Sequence, residues 1–175
     1  YFRLRYTDQI NKAIIEDGKV ISALQMIPYP MTFCGQTVAT SYISGACTHP
    51  DYRARGAMRR LLEETHRSMF DEGIMFSTLI PAEDWLKGYY ARSGYATCFR
   101  YGVLKKVINS YEQPVNNSVL YLKMSKIDLL KKPEETIYPY FNEQMNRRSC
   151  CIQHTFDDFH VVLSDLALSK GDVWT

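Results

Sequence analysis

The chain has 175 residues, 46% of them hydrophobic and 23% charged, with a formal net charge of +2. That composition suits one packed soluble domain, or one domain and part of another, and the near-neutral balance excludes a chain-wide field for nucleic acid or membrane. No apolar run approaches the roughly 20 residues of a membrane span and no signal peptide is visible, while the start at Tyr1 and the stop at "KGDVWT" read as the cut ends of a longer protein.

Tyr1 to Gln9 is too short to classify and reads as the tail of an element begun upstream. "KAIIEDGKVISAL" predicts a hairpin, with apolar residues on both sides of the two-residue turn Asp17-Gly18. The next strand, from Val20 towards Phe33, contains Pro28 and Pro30, which predicts an edge or splayed strand because proline has no N–H for a ladder. "FCGQTV" supplies a second turn at Gly35, and "TVATSYISGACT" a strand ending near Thr48. Gly45 inside that strand signals a bulge or a close approach to the backbone. After Pro50, Met58, Leu61, Leu62, Thr65 and Met69 fall on one face of an amphipathic helix that Asp71-Glu72-Gly73 ends. "IMFSTLI" is a short apolar strand. "PAEDWLKGYYARSGY" predicts a helix with Pro81 near its start, acids in its first turn and Gly94 as its stop. "TCFRYGVLKKV" follows as another strand, and the order gives a mixed α/β sheet. "INSYEQPVNNS" is polar and turn-rich, a linker, and "VLYLKMS" is strand-like. Helices are predicted over Pro133 to Arg148 and Phe156 to Leu168, with a further strand opening at Asp172.

Five cysteines, Cys34, Cys47, Cys98, Cys150 and Cys151, are an odd number without C-x-x-C spacing. They read as buried free thiols of a reducing, cytoplasmic compartment. Cys47 lacks an acid or histidine at a spacing that would activate it as a nucleophile. His49, His66, His154 and His160 show no ligand spacing, so no metal is expected, and Asp157-Asp158 reads as an exposed helix start.

The concentrated chemistry lies at the junction "THPDYRARGAMRR", where Arg53, Arg55, Arg59 and Arg60 surround Gly56 at a helix start. Such a start offers unpaired backbone N–H groups and partial positive charge, the glycine admits a close ligand, and guanidinium groups match phosphate. A diphosphate suits this set better than one carboxylate; a solvated basic helix face is the plainer alternative. Neither a P-loop nor a G-x-G-x-x-G fingerprint is present. The basic residues cluster at one helix start without the aromatic interleaving of a nucleic-acid binder.

Arg53-Ala54-Arg55-Gly56-Ala57-Met58, after a strand ending "SGACTHP", resembles motif A of the GCN5-related N-acetyltransferases, Q/R-x-x-G-x-G/A, with Met58 where Gly or Ala is usual. "YYARSGY" resembles the Y-x-R-x-G-Y segment that closes the acetyl-CoA site in that superfamily. With a second segment after the linker, the chain looks most like the enhanced intracellular survival (Eis) type of acetyltransferase. The resemblance implies a mixed, mostly antiparallel sheet flanked by helices. It implies a catalytic domain over 1–107, a linker over 108–118 and the start of a degenerate second acetyltransferase-like domain over 119–175.

It also implies acetyl-CoA as co-substrate, held at the phosphates by Arg53, Ala54, Arg55, Gly56, Ala57, Met58 and Arg59. Ala46, Cys47 and Thr48 would meet the pantetheine arm through backbone groups. Ala82 and Glu83 match positions that touch the cofactor, although Glu83 reads more simply as a first-turn acid complementing a helix dipole. Tyr90 aligns with the tyrosine that protonates the departing thiolate, with the adjacent Tyr89 as the alternative. A general base would lie beyond this chain, the acceptor would be a small-molecule or peptide amine, and the type tends to form homo-oligomers. The rival function is an inactive acetyltransferase-fold module that binds CoA or a protein partner.

Overall fold

The computed structural model describes residues 7–99, 126–127 and 134–173. Two tight turns build its first half. Asp17 (φ 50) and Gly18 (φ 72) fold β1 (Asn11–Glu16) onto β2 (Lys19–Phe33), and Cys34 (φ 49) and Gly35 (φ 77) fold β2 onto β3 (Gln36–Thr48). Paired positive φ values match the twist of the flanking strands, which is why Asp-Gly and Cys-Gly serve here. The predicted bulge is present: Ala23 faces Cys47 but Gln25 faces Ser44, so β3 carries one extra residue around Gly45 (φ 61).

A 3-10 turn (Pro50–Tyr52) leads from β3 towards α1 (Ala57–Asp71), which returns the chain to β4 (Phe76–Thr78). β4 lies parallel to β3, Thr40 opposite Phe76 and Tyr42 opposite Thr78, while the other pairings are antiparallel. The order β1-β2-β3-β4, with β5 (Cys150–Ile152) also on β2, makes a mixed, mostly antiparallel five-stranded sheet. Its α1 face holds the core: Leu24, Met26 and Ile43 pack with Met58, Leu61, Leu62 and Met69. These helix positions repeat the apolar spacing of the sequence, and full burial of a side chain such as Leu62 contributes about 1.5–3 kcal/mol.

β2 is central rather than an edge strand, paired with β3 on one flank and with β1 and β5 on the other. The prolines fit because of how that second flank is shared. Along β2, pairing with β1 reaches Gln25 and pairing with β5 starts at Met31. The Pro30 carbonyl accepts the Gln153 N–H (2.8 Å), so Pro30, and Pro28 two residues before it, face this flank and not β3.

The second helix, α2 (Leu86–Ala91), starts later than Pro81 predicts. Leu86 N–H and Lys87 N–H donate to the carbonyls of Glu83 and Asp84, so the acids form a turn ahead of the helix, and Glu83 is not a first-turn acid. Residues 97–99 of the predicted strand "TCFRYGVLKKV" carry no strand; its remainder, the linker and "VLYLKMS" lie outside the described residues. Of the strand predicted to open at Asp172, residues 172–173 carry no strand, the Val173 carbonyl accepts the Ile127 N–H (2.9 Å), and 174–175 lie outside the described residues.

Further along, α3 (Glu134–Asn146) and α4 (Phe156–Leu168) match the predicted helices. Asp157 is exposed, but Asp158 is buried: it completes a capping box with Thr155, its Oδ2 accepting the Thr155 N–H (2.9 Å). The cysteines differ from expectation as well. All are free, yet Cys34, Cys47 and Cys98 are exposed and Cys150 and Cys151 half-buried, because they sit at a turn, a strand end, a loop and an outer strand.

Candidate functional site

The end of β3 is pinned before the chain turns into α1. Ser22 Oγ donates to the Cys47 carbonyl (3.1 Å) and meets Thr48 Oγ1 (3.1 Å), and the His49 N–H donates to the Ile21 carbonyl (2.8 Å). Arg53 Nε then donates to the Thr48 carbonyl (3.2 Å), which fixes the loop. Ala54 (φ 60) and Gly56 (φ 79) both take left-handed conformations, a strain that a non-glycine residue such as Ala54 bears at a cost of about 1–3 kcal/mol.

Gly56 stands at the N-cap of α1 without a side-chain cap. The first amide to find a carbonyl within the helix is that of Arg60, on Gly56 (3.0 Å), leaving the N–H groups of Ala57, Met58 and Arg59 directed out of the helix start. Beside them opens a cleft of about 310 Å³ lined by Arg55, Gly56, Ala57, Arg59 and Arg60, with Tyr52, Glu16, Ile21 and Glu63. A Cβ at Gly56 would meet nothing within 4 Å, so the space beside this backbone is open. Tyr52 holds Arg55, whose guanidinium lies 5.2 Å from the ring centroid, a cation–π contact. A second cleft of about 300 Å³ shares Ile21 with the first and runs along Val20 to Ala23 and Cys47 to Pro50.

Arg55, Gly56, Ala57, Arg59, Cys47 and Thr48 thus gather along two adjoining clefts. Others do not reach them. Arg53 is spent on the loop, Ala46 packs against the core, and the Met58 side chain is buried in it, so only its amide faces the helix start. Ala82 and Glu83 are exposed and line neither cleft. Sequence reasoning missed Tyr52, Glu16 and Glu63. Tyr52 precedes Arg55 by three residues, a signal that was available; Glu16 comes from a distant strand and gives none.

Tyr90 is half-buried on α2, packed against the core cluster with Tyr89, whose ring meets it edge-on at 5.3 Å. Burial raises its pKa, and the neighbouring phenols of Tyr89 and Tyr42 raise it further. Tyr95 packs on its other side (5.8 Å) and bonds Ser77 Oγ (2.5 Å) and His66 Nε2 (3.0 Å). No group of three or more His, Cys, Asp or Glu that could hold a metal forms among the described residues.

The acetyltransferase (GNAT) domain model matches residues 1–98, more than half of the chain. Comparison with curated proteins gave no match. Among solved structures, an acetyltransferase from Trypanosoma brucei is 17% identical, with a TM-score of 0.46 over 55% of this chain and 68% of that one. Glucosamine-6-phosphate N-acetyltransferase from Arabidopsis thaliana is 14% identical, with a TM-score of 0.46 over 57% and 66%. A GCN5-related N-acetyltransferase from Anabaena variabilis is 25% identical, with a TM-score of 0.45 over 50% and 22%, so this chain spans about a fifth of its length. The family assignment rests on the sequence match and not on these distant likenesses: the chain belongs to the GNAT acetyltransferase superfamily, whose reaction is acetyl transfer.

Proposed function

We propose that the chain is an acetyl-CoA-dependent N-acetyltransferase acting on a primary amine of a small molecule or peptide. The uncapped, glycine-led start of α1, with three guanidinium groups around one cleft, carries the reading. Unpaired amides, aligned peptide dipoles and arginines fit the two charges of a diphosphate. The open space beside Gly56 fits the same group. Arg55, Arg59 and the amides of Gly56 to Arg59 would hold the phosphates, and Arg53 and Ala54 shape the loop that presents them. The backbone at Cys47 and Thr48 would hold the pantetheine arm along the second cleft, with Ala46 packed against the core behind them.

Bound acetyl-CoA supplies an acetyl thioester. Tyr90 donates its proton to the sulfur as the C–S bond breaks, while the acceptor nitrogen forms the new C–N bond and gives up one proton to a base or to water. The raised pKa of Tyr90 keeps that proton in place at neutral pH. It also makes the phenol a weaker acid than an alkyl thiol, so close contact with the sulfur has to favour the transfer. The Eis-type resemblance puts the general base beyond this chain, and free thiols support a cytoplasmic setting. The inactive-module alternative loses one of its grounds, since the Met58 side chain points into the core and does not crowd the cleft.

Calorimetry with acetyl-CoA is the test. Micromolar binding is expected, weakened about tenfold in Arg55→Ala, the loss of roughly one charge-assisted hydrogen bond. Gly56→Val, strained at a φ of 79, should abolish it. A folded protein that binds no acetyl-CoA would overturn the reading.

A further inference from the structure

We infer that Tyr95 is a positioning residue for Tyr90, tying the short helix that carries it to β4 through Ser77 and to α1 through His66. The inference rests on Tyr90 being the proton donor proposed above. α2 has six residues, none of them buried, and no side-chain cap at its start. A helix so short does not hold itself in water, so its place depends on what anchors it.

Tyr95 touches Tyr90 twice. Gly94 (φ 90) reverses the chain, and the Tyr95 N–H then donates to the Tyr90 carbonyl (3.3 Å), which also accepts the Ser93 N–H (2.8 Å). The Tyr95 ring meets the Tyr90 ring edge-on, at 5.8 Å and 74°. At its far end, the Tyr95 hydroxyl joins Ser77 Oγ at 2.5 Å and His66 Nε2 at 3.0 Å. Burial lowers the His66 pKa, which favours a neutral ring, and burial pushes Tyr95 up to about 12, so the phenol keeps its proton. A neutral hydroxyl both donates and accepts, and here it has two partners for those two roles.

His66 is on α1, roughly 15 Å from the helix start at about 1.5 Å per residue. The bracket therefore fixes the reach of Tyr90 from the anion-binding end of the same helix. Binding of the phosphates does not depend on it; arrival of the phenol at the sulfur does.

The test uses the whole chain, with thiol release from acetyl-CoA read in the presence of spermidine or a lysine peptide, and hydrogen exchange of the α2 amides read alongside. Tyr95→Phe should lower kcat about tenfold to hundredfold, the cost of an ångström-scale misplacement. KM for acetyl-CoA should stay within about twofold, because the phosphate contacts remain. His66→Gln should retain more of kcat than His66→Ala, and α2 amides should exchange faster in Tyr95→Phe and, to a smaller extent, in His66→Ala. If Tyr95→Phe keeps a normal kcat while Tyr90→Phe loses it, the inference is overturned. A normal kcat in Tyr90→Phe strikes instead at the proton-donor reading. Should neither amine be turned over, unchanged α2 exchange in Tyr95→Phe overturns the bracket.

Discussion

Arg59 and Arg60 stand in the first turn of α1, where a helix favours acids, and Asp71 and Glu72 close it, where a helix favours bases. Each placement costs a few tenths of a kcal/mol, up to about 1, and the Arg59–Glu63 pair (3.8 Å) offsets little of that, being exposed. Charge held against its own dipole is what a bound anion would reverse. His66 is a second residue kept in an uncomfortable state. Burial lowers its pKa below 6.5, so the folded protein binds this proton less tightly than the unfolded chain does. Stability that depends on neutral His66 is whole above about pH 6.5 and is lost as pH falls from there through the folded pKa. The urea midpoint should therefore drop between about pH 7.5 and pH 5.5, and drop less in His66→Gln; equal drops in the two proteins would rule this out. The arginine cluster was legible in sequence because its members are neighbours along the chain. The His66–Tyr95–Ser77 bracket was not, since its residues lie 11 to 29 positions apart and only the packing of α1, α2 and β4 brings them together.

Among the elements, α1 shows why a departure from the family motif is tolerated. Met58 replaces Gly or Ala, yet its side chain fills the core beneath the sheet while its amide stays at the helix start. Met58→Ala should cost about 2–5 kcal/mol in unfolding free energy through the cavity it leaves. Acetyl-CoA affinity should change by less than about twofold, since no ligand contact is removed; a tenfold loss would place the side chain in the site after all. Local signals were strong wherever the chain decides its own conformation. Asp17-Gly18, Cys34-Gly35 and the spacing from Met58 to Met69 each mark their element correctly. Signals failed where a distant partner decides. Cys150 to Ile152 has no alternation and becomes β5 only because β2 offers a flank, and the stretch after Pro81 is not yet helix, since the carbonyls of Glu83 and Asp84 close a turn that leads into α2.

Over the whole molecule, the later segment is stitched to the first sheet. β5 pairs with Met31 to Phe33, Thr32 Oγ1 donates to the Arg148 carbonyl (2.8 Å), the Gln153 N–H donates to the Pro30 carbonyl (2.8 Å), and Gln153 Nε2 donates to Thr32 Oγ1 (3.5 Å). The aromatic contact of Tyr29 with His154 (5.1 Å) crosses the same seam. Residues 150–153 therefore share hydrogen bonds with a strand of the amino-terminal unit, which sequence reasoning had divided from them by a linker. Unfolding in urea should be a single transition by far-UV dichroism and tyrosine fluorescence together. Gln153→Leu should shift both signals equally, by about 1–3 kcal/mol. Two separated transitions would show that the halves fold independently.

Pro28 and Pro30 face the β2 flank between its pairing with β1, which reaches Gln25, and its pairing with β5, which starts at Met31, with the Pro30 carbonyl taken by the Gln153 N–H. Among the described residues no strand pairs with this flank of β2 at Pro28, and an unpaired stretch of sheet is where a strand from another molecule would zip in, a pairing that needs an N–H at alternate positions. Here two successive positions of the right parity cannot donate. The prolines that made β2 look like an edge thus keep a central strand from recruiting a stranger, and replacing them would remove a guard against self-association without touching the core.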